Sequence, residues 1–248
     1  MGILQKIVAN TKANLAHKKV ELPLEKIQSS LENLKLHRGK FKDHISSKDE
    51  AIIAEIKKAS PSAGVIKEDF DPTKIAMEYE SFGASALSIL TEEDFFMGSV
   101  EYLKEVKKIT SLPILRKDFM IDEYQIYESK LIGADCILLI ASILNDQEID
   151  DFINIAKKLE LDYLIEVHDE NELKRVEHFE DALIGVNNRN LETFEVDLNN
   201  SVRLRNTFKQ KNIFIAESGI KSREDMNYLK MNNIKVFLIG ESLMRGSF

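Results

Sequence analysis

Ionisable side chains stand where several short apolar runs end. Glu55 and Lys57 close the first run two residues apart, so strand alternation puts both on one face with Ile53. Lys117 ends the third and shares a face with Leu115, Glu166 ends the fifth, Asn187 the sixth with Arg189 two further on, and Glu217 and Ser218 the seventh. If these faces converge, two lysines, an arginine and three glutamates crowd one mouth. Any one of them alone fits a structural ion pair. The whole set does not, because desolvating a charge costs several kcal/mol and buried ion pairs are often replaceable by apolar packing. Crowded lysines and glutamates shift each other's pKa, which suits acid and base chemistry near neutral pH.

A second pattern suits an anion. Ser218-Gly219-Ile220 follows the seventh run and Gly240-Glu241-Ser242 the eighth, so backbone N–H groups at glycines could cradle a phosphate. Ser60-Pro61-Ser62 after the first run adds hydroxyls or makes a turn. Phe95-Phe96 and Phe119 are core or the wall of an apolar ring site. The five histidines, His17, His37, His44, His168 and His178, lack ligand spacing, so no metal is expected. Cys136 lies inside an apolar run and reads as core. Neither a GxGxxG fingerprint nor a Walker loop occurs, which argues against dinucleotide and ATP sites of those types.

Eight apolar runs would carry these residues: 51–56, 86–90, 112–115, 135–140, 163–167, 182–186, 213–216 and 236–239. Polar segments with apolar residues at helical spacing separate them, such as Ile75, Ala76, Tyr79 and Phe82. Gly83-Ala84 and Gly133-Ala134 sit where left-handed helix caps belong. Strands apolar on both faces, each followed by a helix, predict a parallel sheet covered by helices. Eight such units in roughly 200 residues predict a (β/α)8 TIM barrel, whose catalytic groups sit at the carboxyl ends of the strands.

The expected organisation is one domain over 1–248. Residues 1–48 form a helical extension, with patterns at 4–15 and 24–36, and 49–248 form the barrel. Only 241–248 follow the last run, so the closing helix should be short or absent. The 248 residues are 44% hydrophobic with a net charge of -8, which excludes disordered classes and argues against nucleic-acid binding. A lone cysteine, no signal-peptide pattern and no apolar run near 20 residues predict a cytoplasmic protein without a membrane segment.

Longer stretches carry a resemblance. Ala54-Glu-Ile-Lys-Lys-Ala-Ser-Pro-Ser62, Leu90-Thr-Glu-Glu-Asp-Phe-Phe-Met-Gly-Ser99, Leu115-Arg-Lys-Asp-Phe119, Gly133-Ala-Asp-Cys-Ile-Leu-Leu-Ile140, Glu166-Val-His168, Gly185-Val-Asn-Asn-Arg189, Glu217-Ser-Gly-Ile220 and Gly240-Glu-Ser-Leu-Met-Arg245 together resemble the indole-3-glycerol phosphate synthase family, in order, from about residue 50 to the end. The helical extension is also similar. The resemblance implies ring closure of 1-(2-carboxyphenylamino)-1-deoxyribulose 5-phosphate, with loss of CO₂ and water, in tryptophan biosynthesis and without a cofactor. Lys117 then matches the general acid and Glu166 the base of the dehydration. Lys57 pairs with the substrate carboxylate or protonates the leaving hydroxyl, and Glu55 orients the lysines. Asn187, Glu217 and Ser218 complete the catalytic set that the resemblance implies, with Asn187, Arg189 and Glu217 binding or aligning substrate polar groups. Phe96, Phe119, Pro61 and Leu138 wall the anthranilate ring, and Ser60, Gly219, Gly240, Glu241 and Ser242 hold the phosphate.

One position departs from the family pattern: Asn190 stands where Asp is usual after Arg189. Two other functions stay open on the residues alone. A sugar-phosphate isomerase or epimerase would share the barrel and phosphate loops but leave the lysine pair and aromatic wall without purpose. A noncatalytic phosphate-ligand sensor would tolerate loss of Lys117. The expected partner is a phosphorylated small molecule, with neither nucleic acid nor membrane, and the chain is expected to act as a monomer or weak homo-oligomer.

Overall fold

The structure, a computed structural model, describes residues 2–32 and 40–248. Three helices lead the chain: α1 (Ile3–Glu21), α2 (Leu24–Glu32) and α3 (Phe41–Ser46). Helix α1 runs six residues past the apolar periodicity that predicted 4–15, because Ala16 to Glu21 are helix-compatible and the first breaker is Pro23. The predicted second helix reached 36; its part beyond Glu32, like His37, lies outside the described residues.

Strand β1 (Ala51–Ile56) leads into a small antiparallel hairpin, β2 (Ala59–Ser60) and β3 (Gly64–Val65), which pairs Ala59 with Val65. Then strands and helices alternate: α4 (Pro72–Phe82), β4 (Ala86–Leu90), α5 (Val100–Lys107), β5 (Ile114–Lys117), α6 (Glu123–Leu131), β6 (Cys136–Ile140) and α7 (Asp146–Lys158). The series continues with β7 (Asp162–Val167), α8 (Glu170–Val176), β8 (Leu183–Asn187), α9 (Asn199–Thr207), β9 (Phe214–Glu217), α10 (Arg223–Met231), β10 (Val236–Ile239) and α11 (Glu241–Met244). Strands β1, β10, β9, β8, β7, β6, β5 and β4 pair in that order, all parallel, and close into a barrel. The (β/α)8 expectation is met.

The two apolar faces of each strand go to two different cores. In β6, Ile137 and Leu139 point outward to the helices, while Cys136, Leu138 and Ile140 point into the barrel. Phe41 and Ile45 of α3 join that inner cluster with Ala51, Leu183 and Val236, so α3 plugs the end of the barrel where the strands begin. The opposite end is left for the polar residues. Cys136 is fully buried in the inner core, as expected from its apolar run.

Local chemistry sets the element ends. Gly83 caps α4 with a φ of 94°, and Gly133 after α6 has the same value, a conformation that a β-carbon disfavours. Asn145 with Glu148 and Ser222 with Asp225 form reciprocal capping boxes at the starts of α7 and α10. Strand β5 starts two residues later than the apolar run at 112–115, since Pro113 has no N–H to give the ladder. The last helix, α11, has four residues. No helix among the described residues is long and apolar enough to cross a membrane.

Candidate active site

A cavity of about 880 Å³ opens at the carboxyl ends of the strands. Each site residue expected from the sequence lines it, from Glu55, Lys57 and the Ser60-Pro61 pair to Gly240, Glu241 and Ser242. The register explains this. Lys117 follows Leu115, Glu166 follows Leu164 and Glu217 follows Ile215 on inward-facing positions, so each inner strand face changes from apolar to ionisable as it reaches the mouth.

The ionisable groups form one network. Lys57 Nζ donates to Glu55 Oε1 at 2.5 Å. Lys117 Nζ donates to Glu217 Oε2 at 2.5 Å and to Glu166 Oε2 at 3.2 Å. Asn187 Nδ2 donates to the other oxygen, Glu166 Oε1, at 3.1 Å. Burial opposes the charge of Lys117, yet Glu217, Glu166 and Glu55 outweigh it and hold its pKa above the ordinary lysine value. Burial would raise Glu55, but the ammonium groups of Lys57 and Lys117 keep it ionised below the usual carboxylate value. Glu166 is likewise buried and held low by Lys117, His168 and the Asn187 hydrogen bond. Glu217 goes the other way. Burial pushes it up to about 7, and Glu166 and Glu55 add repulsion that Lys117 only partly offsets. The mouth thus holds a retained cation, two committed carboxylates and one carboxyl poised near neutrality, an arrangement suited to proton transfer.

Apolar and anion-binding walls flank the network. The Phe96 and Phe119 rings pack with centroids 5.8 Å apart, and Glu92 holds the first of them by accepting from the N–H groups of Phe95 and Phe96. Leu138 lines the floor. On the other side, Ser218 and Gly219 are both left-handed, with φ of 67° and 83°, and α11 begins at the Gly240 turn. A β-carbon at Gly219 would run into Val196, and one at Gly240 into Glu55, so both glycines allow backbone to come close. Ser60 Oγ accepts from Ala63 N–H at 3.2 Å, which makes the Ser60-Pro61-Ser62 segment a turn as well as a cavity wall.

Some placements refine the expectations. The Glu241 carboxylate lies 3.9 Å from Arg189 and 3.1 Å from Arg245, so toward an anion this residue has only its N–H to offer. Asn190 makes the loop contacts an aspartate would make: its Oδ1 accepts from the N–H groups of Glu192 and Thr193. Cavity-lining residues without a role assigned from the sequence include Lys221, Arg245 and Ser247 near the phosphate loops, and Ile3, Leu4 and Ile7 of α1 above the mouth. Neither group has a strand-end position to mark it. Helix α1 is held there by Asn10 and Asn14, whose Nδ2 groups donate to Asp94 Oδ2 at 2.5 and 2.8 Å.

Comparison with known proteins identifies one family. A family model described as indole-3-glycerol phosphate synthase matches residues 4–247. The indole-3-glycerol phosphate synthase of Ruminiclostridium cellulolyticum is 47% identical over 98% of this chain and 94% of its own length. That of Clostridium acetobutylicum is 46% identical over 98% and 92%, and that of Endomicrobium trichonymphae 46% over 98% and 95%. A solved structure, the N-acetylmannosamine-6-phosphate 2-epimerase of Clostridium perfringens, superposes with a TM-score of 0.60 over 82% of this chain and 92% of its own, at 15% identity. That likeness reaches the barrel fold and no further. The chain belongs to the indole-3-glycerol phosphate synthase family.

Proposed function

We propose that the chain closes the indole ring of 1-(2-carboxyphenylamino)-1-deoxyribulose 5-phosphate through Lys117 as general acid and Glu166 as base. The observation that carries these roles is the single ammonium of Lys117 shared by Glu166 and Glu217 between the Phe96–Phe119 wall and the Ser218–Gly219 and Gly240 loops. Attack of the aromatic carbon on the ribulose carbonyl puts negative charge on its oxygen, and Lys117, cationic over the working range, gives that oxygen a proton. Loss of CO₂ restores the benzene ring. Dehydration then needs a base to take a ring-carbon proton and an acid to protonate the departing hydroxyl. Glu166, kept ionised, serves as the base. Lys57 beside Glu55 meets the substrate carboxylate and can serve as the acid.

The phosphate falls to backbone N–H groups at Gly219, Gly240, Glu241 and Ser242 with the Ser60 hydroxyl, and Arg189, Asn187 and Ser218 align the chain between. The aromatic wall favours this reaction over a sugar-phosphate epimerase, whose substrate has no aromatic ring for it. The net charge of -8 supports a phosphorylated small molecule rather than nucleic acid as partner, and the buried single cysteine fits a reducing, cytoplasmic location.

Indole fluorescence on mixing protein with that substrate tests the proposal. The expected result is a signal from the native chain that falls about 10²- to 10⁴-fold in Lys117→Ala. A folded native chain that binds the substrate without forming indole would overturn it in favour of a sensor.

A further inference from the structure

His168 and Glu172 stand beside the proposed base and have no part in the steps above. His168 follows β7 two residues after Glu166, so the strand's alternation carries both side chains to the same face. Glu172, in the first turn of α8, accepts the His168 backbone N–H with Oε2 at 2.8 Å and has the same oxygen 3.2 Å from Nδ1 of the ring. An ionised carboxylate donates nothing, so the ring nitrogen facing it carries a proton; the network assigns the Nδ1–H form. Asn200 Nδ2 donates to the His168 carbonyl at 3.0 Å and fixes the backbone from the α9 side.

The second ring nitrogen then has little choice. Nε2 is sealed from solvent, makes no hydrogen bond, and stands 3.4 Å from Glu166 Oε1. In the neutral ring this would set a nitrogen lone pair against a carboxylate oxygen. A proton between the two relieves the repulsion, either on the ring or on the carboxyl. The two oxygens of Glu166 are divided accordingly: Oε1 meets Asn187 and His168, and Oε2 faces Lys117.

We infer that His168, held by Glu172, is a positioning residue for Glu166, its imidazolium facing Oε1 so that Oε2, on the Lys117 side, is the oxygen left ionised for the reaction. The inference rests on Glu166 being the base. Every charged neighbour of the pair bears on it. Lys117 on β5 faces Glu166, Glu217 on β9 and Glu55 on β1 bear on Lys117, Glu217 also acts on the ring through its charge, and Glu172 on α8 faces the ring. Burial opposes a charged His168, but the Glu172 hydrogen bond and the carboxylates of Glu166, Glu172 and Glu217 raise its pKa above the ordinary value.

Histidine titration read by NMR on ¹⁵N-histidine-labelled protein tests the pairing without requiring turnover. In Glu166→Gln the His168 pKa should fall by about one unit, because an opposite charge within a few ångströms has been removed. Linkage makes the effect reciprocal, so in His168→Asn the acid limb of the single-turnover rate should move up by a similar amount, with His168→Gln as the second variant. Rate losses in both histidine variants without movement of that limb, or a His168 titration unchanged in Glu166→Gln, would overturn the inference. Retained turnover in Glu166→Gln is a separate result. It removes Glu166 as base, and the positioning role with it, whatever the titration shows.

Discussion

Lys117 and Glu217 are a hundred residues apart in the chain, and their side chains meet at 2.5 Å across the barrel mouth. The contact joins a lysine whose pKa is held above its ordinary value to a carboxyl pushed up to about 7. Three buried glutamates around two lysines keep Lys117 charged and leave one glutamate poorly compensated.

That imbalance has a pH signature. Glu217 has a folded pKa of about 7 against an ordinary 4.5. Between those values the folded chain holds a proton that the unfolded chain has lost, so this group contributes stability at low pH that disappears as pH rises through 7. Glu217→Gln removes the dependence. Its stability relative to the native chain should therefore be greater at pH 8 than at pH 5 in urea unfolding, and a difference independent of pH would refute the assignment.

Gly185 makes room for the same carboxylate. A β-carbon there would collide with Glu217 Oε1 and with Leu164. Gly185→Ala should destabilise the fold by about 1–3 kcal/mol through overpacking. It should also lower kcat by displacing Glu217 from Lys117, so a variant with native kcat and native melting temperature would show that the site can shift at no cost.

Arg116 precedes Lys117 on β5 and points the opposite way. Only 1% exposed, it donates to Asp118 at 3.0 Å and Glu128 at 2.7 Å, with further bonds to Thr91, Gln125 and Ser129. Arg116→Ala leaves two largely buried carboxylates without their cation. The expected loss is about 3–5 kcal/mol in denaturant unfolding. A loss under 1 kcal/mol would mean that the pocket takes up water or protons readily.

Asp94 ties α1 to the loop that carries Phe96. Asp94→Ala loosens the N-terminal part of the helix whose Ile3, Leu4 and Ile7 line the cavity, while Lys19 stays paired with Asp122 farther along. Two hydrogen bonds of about 0.5–1.5 kcal/mol each predict a rise in KM of roughly five- to a hundredfold, less where solvent competes. The value of kcat should change far less, and steady-state kinetics that lowered kcat at constant KM would contradict a role in holding substrate.

The barrel was legible because its local signals agree with its global form. Strands buried on both faces read as continuous apolar runs, and Gly83 and Gly133 mark helix ends by a backbone conformation that a β-carbon disfavours. The strand-end residues were legible for the same reason: two-residue periodicity places Lys117 or Glu166 on the inner face once the inner face is known. Other features carry no such mark. Phe41 and Ile45 look like any short amphipathic turn, and only closure of the barrel gives them an inner core to plug. Ile3, Leu4 and Ile7 acquire their place over the cavity from a contact with Asp94 more than eighty residues away. Chain periodicity reports which face a side chain takes, since that is set by neighbouring dihedral angles. Which carboxylate shares Lys117, which one is pushed up to about 7, and which oxygen of Glu166 faces His168 depend on distances and burial between distant strands, and these exist only once the sheet has closed.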